Sequence, residues 1–466
     1  MEKIKIGFLP FYIKLYDDCG SGAKWRPRLE PFYDRLTGEL EAQGFEVVTN
    51  PFCRIKEEFA AAVKKFEAAG CTAIVTWHAA YSPSLESIEA LAGTDLPLII
   101  LDTTETFSFA PTQNPDEISV CHGIHGVMDM CSMLRRCGKP FAIAAGHLDN
   151  SDVIARVSGY VRAAVAAKSL KGSRTGSIGG SFDGMGDFIT ADEDLLRRFG
   201  VTVVYPEPGV FADYRAKVTD EEVEAEIAED NAATYIVEPF EREVHERNAR
   251  NCLAVRKWIA DQKLDSFTAN FRAINPPQSG LEIMPFTEAC KALARGTGYA
   301  GEGDTLTASL VGALLKGFKD STFVESFCPD WENDTLLLSH MGEYNAALTV
   351  GKRGMKEMPF IYGGAKNPMV QYARYRGGKA VFMNLYHTRD DFKLLISAVD
   401  MVEVNPDEDN FTTRVRGWMK PHMPISQFLE ELSFKGATHH SALVYGATVR
   451  EIQYFAELLG LEYDVI

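Results

Sequence analysis

Glu57-Glu-Phe-Ala-Ala-Ala-Val-Lys-Lys-Phe-Glu-Ala-Ala-Gly70-Cys-Thr72-Ala-Ile-Val-Thr-Trp77 sets the pattern for the first part of the chain. Residues 57–69 read as a helix that Gly70 stops, and residues 72–77 as a buried strand. Toward the N-terminus, Lys3–Pro10 and Phe45–Thr49 are strands on either side of an amphipathic helix, Arg28–Gly44. Toward the C-terminus, Leu96–Leu101 is the next strand. Strands alternating with helices of this length indicate parallel βαβ units, hence an α/β fold with an open, doubly wound sheet. Ligands of such sheets sit beyond the carboxyl ends of strands, where Trp77, His78 and Asp102-Thr103-Thr104 fall. Trp77 reads equally well as a large aromatic packed in the core.

His122-Gly-Ile-His125-Gly126 opens a helix, Val127–Arg136, and glycines at a helix start let a ligand approach backbone N–H groups. Phe141–His147 is a strand, and Asn150-Ser151-Asp152 caps the helix that runs to about Lys168. The glycine-rich stretch from Gly172 to Gly186 has neither a Walker lysine nor dinucleotide spacing. It reads as a domain junction whose loop, with Met185 and Asp187, lines a pocket. A second α/β unit follows, with strands Val201–Tyr205 and Ser266–Phe271 and helices Thr219–Asn231, Phe240–Gln262 and Phe286–Arg295. The acidic run from Asp220 to Asp230 reads as a solvated helix face. After His340 short strands alternate with Gly and Pro turns: 358–361, 370–374, 378–385, 392–397 and 411–415. That spacing indicates an antiparallel, β-rich and barrel-like C-terminal domain, with helices Pro424–Leu432 and Thr448–Leu458. The expected organisation is an N-terminal α/β domain (1–171), a central α/β domain (172–330) and a C-terminal β-rich domain (331–466).

A net charge of −17 over 466 residues argues against a nucleic-acid partner, which needs clustered positive charge. The nine cysteines are scattered without a Cys-x-x-Cys pair, as expected of reduced thiols. Met1-Glu-Lys-Ile-Lys-Ile6 leads straight into a strand with no apolar signal region, and no run is long enough to cross a bilayer. A cytoplasmic protein is expected, with no membrane partner.

The chemistry-bearing residues cluster between 297 and 344. Glu302 lies between two glycines at the mouth of a helix, Glu325 follows a strand-like segment, and His340 ends another. Two carboxylates and an imidazole at the ends of different elements are what a divalent-metal site needs, and His439-His440 can complete it. Gly301-Glu302-Gly303-Asp304 with Thr307-Ala308, Phe323-Val324-Glu325, Ser339-His340-Met341 and His439-His440 resemble the L-arabinose isomerase family in the same order. So do Thr76-Trp77-His78 with Ser82-Pro83, His125-Gly126, and Phe267-Thr268 with Asn270-Phe271. The same superfamily contains the L-fucose isomerases.

The resemblance implies a metal-dependent sugar isomerase acting on a pentose or (deoxy)hexose. Glu302, Glu325, His340 and His440 would hold the ion, with His439 either supporting the ligands from behind or facing substrate. Carboxylates with neutral imidazoles suit Mn²⁺ (manganese), Co²⁺ or Fe²⁺ better than Mg²⁺. Glu302 and Glu325 would shuttle a proton between C2 and C1 through a cis-enediol; hydride transfer would use the same ligands. An epimerase, or a sugar-binding relative without turnover, are the rival readings. The resemblance also implies a homo-oligomer whose active sites are shared between subunits, with Trp77, His78 and His125 near the sugar. Met185, Asn275 and Phe327 fall at further substrate-facing positions. Three departures stand out. Asp304-Thr-Leu-Thr307 replaces the family's Asp-Trp-Lys-Thr, Phe327 replaces a tyrosine, and Asn275 replaces a histidine. Selectivity built on hydrogen bonds to sugar hydroxyls is sensitive to such changes, so the sugar stays open.

Overall fold

In the computed structural model, which describes residues 3–20 and 22–466, the apolar segments of the N-terminal part pair into one parallel sheet. Met1 and Glu2, placed by the sequence reading ahead of the first strand, lie outside the described residues. Strand order across the sheet is Glu46–Thr49, Lys5–Phe11, Ala73–His78, Leu98–Asp102 and Phe141–Ala145. Every pairing is parallel. The Ala73–His78 strand is buried along its whole length. The helix before it, Lys56–Ala68, buries Phe59, Ala62, Val63 and Phe66, a spacing that puts all four on one face. Each large side chain so buried contributes about 1.5–3 kcal/mol. Gly7 is required on the facing strand, because a Cβ there would lie 2.5 Å from the Phe66 ring. Strand order reverses between Lys5–Phe11 and Ala73–His78, whose last residues, Phe11 and His78, are paired.

The described chain divides into two compact units, Met1–Val165 and Ala166–Ile466. Within the second, a four-stranded parallel sheet runs in the order Gly298–Gly301, Ser266–Ala269, Arg174–Ile178, Thr202–Val204. Six antiparallel strands then close a barrel. Around it lie Gly378–His387, His440–Tyr445, Ser321–Asp330, Thr335–Ser339, Gly417–Pro421 and Phe392–Met401, the last pairing back onto the first. A seventh strand, Glu462–Val465, runs parallel to Phe392–Met401 and ends the sheet. Phe382, Leu395, Met419 and Leu443 from four of these strands share one core with Phe428 of the helix Ile425–Lys435. The helix Thr305–Gly317, apolar almost all round, packs against strands of both the parallel sheet and the barrel. Among the described residues no helix is long and apolar enough to cross a membrane.

Several local expectations are overturned. Residues 358–361 are not a strand: Pro359 cannot donate to a ladder, and the Phe360 N–H donates to the Asn367 side chain at 3.0 Å. The neighbouring strand is Thr349–Glu357. Residues 411–415 form a turn around Asp409, which accepts from the Phe411 N–H and from Arg416, and the strand begins at Gly417. The acidic helix Asp220–Ala233 is not wholly solvated. Glu226 and Asp230 lie on the same face as Val223 and Ile227, and all four are buried. Arg256 and Lys291 pair with Glu226 at 2.7 and 2.6 Å, while Lys291 and His245 pair with Asp230 at 2.8 and 3.0 Å. The glycines near His125 make room for protein and not for a ligand. A Cβ on Gly123 would meet the His78 carbonyl oxygen at 2.3 Å, and one on Gly126 would meet the His78 ring at 2.4 Å.

Candidate metal centre

Strand register assembles most of the site. On the barrel, Glu325 lies directly opposite His440 on one side and Ser339 on the other, and His340 follows Ser339. A bulge sits in the Glu325 strand between Ser326 and Cys328. Such irregularities locally re-aim a strand's side chains. Glu302 reaches the same place from the end of the Gly298–Gly301 strand. Its backbone is left-handed, with φ 63°, as is that of Gly303 at 88°. The flanking glycines have separate reasons. A Cβ on Gly301 would meet the His340 ring at 2.8 Å, and one on Gly303 would meet the Gly180 carbonyl oxygen at 2.1 Å. Asp304 then caps the buried helix by accepting from the Thr307 N–H at 2.8 Å.

The ligand-type atoms converge in two overlapping groups, Glu302 with His439 and His440, and Glu325 with His340 and His440. Within each group they lie inside 4.8 Å of one another. His440 Nε2 stands 3.6 Å from Glu302 Oε2, and His340 Nε2 stands 3.6 Å from Glu325 Oε2. A carboxylate holds the far nitrogen of each imidazole. His340 Nδ1–H donates to Glu343 at 2.5 Å, His440 Nδ1–H to Asp304 at 3.0 Å, and His439 Nδ1–H to Asp187 at 2.6 Å. An imidazole held in this way presents the lone pair of its Nε2 when neutral, the arrangement that metal-binding histidines use. His440 is fully buried, stacked on Phe188 at 4.8 Å and met edge-on by Phe323 at 4.9 Å.

The electrostatics fit a cation. Glu302 Oε2 and His440 Nε2 are buried without a hydrogen-bond partner among the described residues. Burial pushes the Glu302 carboxyl up, but the three neighbouring imidazoles outweigh it and hold the group below its usual range. Glu325 goes the other way, because burial dominates there over the same imidazoles. Burial opposes a charge on His340, yet the Glu343 carboxylate, with Glu325 and Glu302 behind it, raises it to about 9. His439 is raised to about 10, against its burial, by Asp187 and Glu302. Carboxylates in excess draw protons onto these imidazoles, and a divalent ion can complete the site by taking the place of those protons.

Beside Glu302 and His340 lies a cavity of about 190 Å³, walled by Phe271, Met284, Phe286, Met341, Phe360 and Tyr362 and touching Glu343. The other residues singled out in the sequence are distributed differently. Phe327 projects at the bulge, 44% exposed. Asn275 caps the turn 276–279, accepting from the Gln278 N–H at 3.0 Å and donating to its Oε1 at 2.6 Å. Met185 is half-buried in the glycine-rich loop, and Asp187 of that loop holds His439. In the N-terminal unit, Trp77 is 2% exposed and donates its indole N–H to the Thr103 carbonyl at 3.0 Å. Phe32, Tyr33 and Phe52 surround its ring, so it packs in its own core. His78 is buried against Phe11, its two ring nitrogens unpartnered among the described residues, and burial drives it down to about 3. His125 is exposed and stacks on His122.

The sequence reading missed Asp304 and Glu343 as the groups that orient imidazoles, and it missed the aromatic wall. One signal was available: Glu343 lies three residues after His340, within reach across a single turn.

Comparison with known proteins covers most of the chain. The model of the L-arabinose isomerase N-terminal domain matches residues 33–172, that of the central domain 185–317 and that of the C-terminal domain 320–462. L-arabinose isomerase of Geobacillus kaustophilus (strain HTA426) is 26% identical over 414 residues, covering 85% of this chain and 81% of that protein. The Bacillus subtilis (strain 168) enzyme is 24% identical over 410 residues, with the same coverage. L-arabinose isomerase 2 of Bacillus licheniformis is 26% identical over 411 residues, 84% of each chain.

Proposed function

This chain belongs to the L-arabinose isomerase family and is in general terms a metal-dependent sugar isomerase, and from that premise we propose that it interconverts an aldose and its ketose through a cis-enediol. The observation that carries the reading is the pair of buried, unpartnered ligand atoms, Glu302 Oε2 and His440 Nε2, 3.6 Å apart. Glu302, Glu325, His340 and His440 would hold the ion, and Mn²⁺ or Co²⁺ suits this donor set better than Mg²⁺ or Ca²⁺. When bound, the ion supplies Lewis acidity that polarises the sugar carbonyl and acidifies the neighbouring C–H.

The remaining steps belong to the chain's own residues. One of Glu302 and Glu325 removes the proton from C2 and the other returns a proton at C1, each through a carboxylate oxygen turned toward substrate. Asp304 and Glu343 hold His440 and His340 in the tautomer with a free Nε2. His439, its Nδ1–H held by Asp187 and its ring kept protonated by the surrounding carboxylates, donates its Nε2–H, 3.7 Å from Glu325 and 3.9 Å from Glu302, to a sugar oxygen. The protein forms a homo-oligomer in which one chain's N-terminal unit covers another chain's site. The exposed Phe107, Phe109, Ile118 and Met128 of that unit are the apolar surface such an assembly buries.

The test is a panel of pentoses and 6-deoxyhexoses offered to protein stripped with a chelator and reloaded. Ketose should form after Mn²⁺ or Co²⁺ and not after Ca²⁺. Full activity in protein shown by elemental analysis to be metal-free would contradict the reading. A C2 epimer in place of ketose would make the protein an epimerase. Binding with no product would make it a sugar-binding protein.

A further inference from the structure

We infer that the substrate is a sugar whose end remote from the carbonyl is a methyl group, a 6-deoxyhexose, held by the apolar cavity beside the metal centre. This rests on the isomerase reading above. It starts from where polar atoms are absent. A sugar whose C1 and C2 oxygens lie between Glu302 and Glu325 must extend its other carbons away from the carboxylates. The cavity of about 190 Å³ that opens beside Glu302 and His340 takes that end.

Its wall is two methionines and four aromatic rings. Met284 and Phe286 are buried, Phe360 is 8% exposed, and Tyr362 crosses Phe360 and Phe271 edge-on at 5.7 and 5.8 Å. The polar atoms of Glu343 and His340 beside the wall are already committed. Glu343 accepts from His340 at 2.5 Å, from the Gly342 N–H at 3.0 Å and from the Tyr299 hydroxyl at 3.0 Å. His340 Nδ1 is spent on the same carboxylate, and its Nε2 faces Glu325. Tyr362 is 44% exposed. A terminal hydroxyl brought against the methionine and phenylalanine side chains of this wall would leave water for atoms that neither donate nor accept, whereas a methyl gains burial. Methionine and aromatic edges suit a small apolar group. The chemistry at the other end is unchanged: the C2–H bond breaks, a C1–H bond forms, and a proton moves between O2 and O1, with no external oxidant or reductant.

Pairs of sugars that differ only at C6 test the inference on the native, Mn²⁺-loaded protein: D-fucose with D-galactose, L-fucose with L-galactose, and L-rhamnose with L-mannose. In whichever configuration turns over, kcat/KM for the deoxy sugar should exceed that of its hydroxymethyl partner by about 10- to 100-fold, the range over which an apolar pocket rejects an added hydroxyl. Binding of the corresponding alditols, fucitol against galactitol and rhamnitol against mannitol, is measured alongside by calorimetry and needs no turnover. If the deoxy alditol binds at least tenfold tighter while no sugar reacts, the isomerase reading fails and the pocket assignment stands. Equal or tighter binding of the hydroxymethyl member, or no binding of either, overturns the inference, as does a hydroxymethyl sugar that is the better substrate.

Discussion

Glu302 and Glu325 reach one spot from different elements, a strand end in the parallel sheet and a barrel strand. Glu302→Gln and Glu325→Gln keep the shape of each side chain but remove its basicity, so kcat should fall about 10²- to 10⁴-fold with circular dichroism unchanged. Activity near wild type in either variant would remove that residue from the mechanism. Asp304→Asn and Glu343→Gln act one bond further out. Each should weaken Mn²⁺ binding about 10- to 100-fold in a calorimetric titration, because the amide no longer enforces a free Nε2 on His440 or His340. The five converging ligand-type residues, Glu302, Glu325, His340, His439 and His440, were legible in sequence because each sits in a short, ordered motif. Their orienting partners were not, since which carboxylate meets which imidazole depends on how barrel and sheet are brought together. A strand end is where ligands bind, but the side chains there also close the unit's own core, as the rings around Trp77 do.

At the level of elements, the helix Asp220–Ala233 carries a testable ion cluster. Burial pushes Glu226 and Asp230 up, yet Arg256, Lys291 and His245 outweigh it and hold both below their ordinary values of 4.5 and 3.8. Depressed carboxylates give stability that is present above the unfolded-state pKa and is lost as pH falls through the folded one. The second unit should therefore hold its melting temperature near neutral pH and lose it below about pH 4.5, as followed by differential scanning calorimetry. Lys291→Met leaves Asp230 and Glu226 short of a buried cation and should cost about 3–5 kcal/mol. A flat melting profile down to pH 3, or a fully stable Lys291→Met protein, would show that the cluster contributes little. Charge density alone pointed to a solvated face here; the spacing of Val223, Glu226, Ile227 and Asp230 on one stripe is what the composition concealed. Local alternation announced most strands, whereas barrel closure through Gly378–His387 and Phe392–Met401, and the pairing of Thr234–Ile236 with Arg353–Met355, arise only from long-range contacts.

The whole molecule has two parallel sheets and a closed barrel, and the proposed oligomer makes each site the work of two chains. Glu302→Gln and His125→Ala proteins should each be inactive alone and should regain part of the activity after dissociation and joint reassembly, because some interfaces then pair two intact halves. No recovery in demonstrably mixed oligomers would confine the site to one chain. The central claim, proton transfer by Glu302 and Glu325 at a metal centre, is tested most directly in heavy water with the Mn²⁺-loaded protein and its best aldose. The account predicts ketose carrying solvent deuterium at C1, read by proton NMR, with the label lost along with turnover in Glu302→Gln and Glu325→Gln. Ketose formed from a 2-deuterated aldose in ordinary water, with the deuterium passed intact to C1, would mean hydride transfer and contradict it.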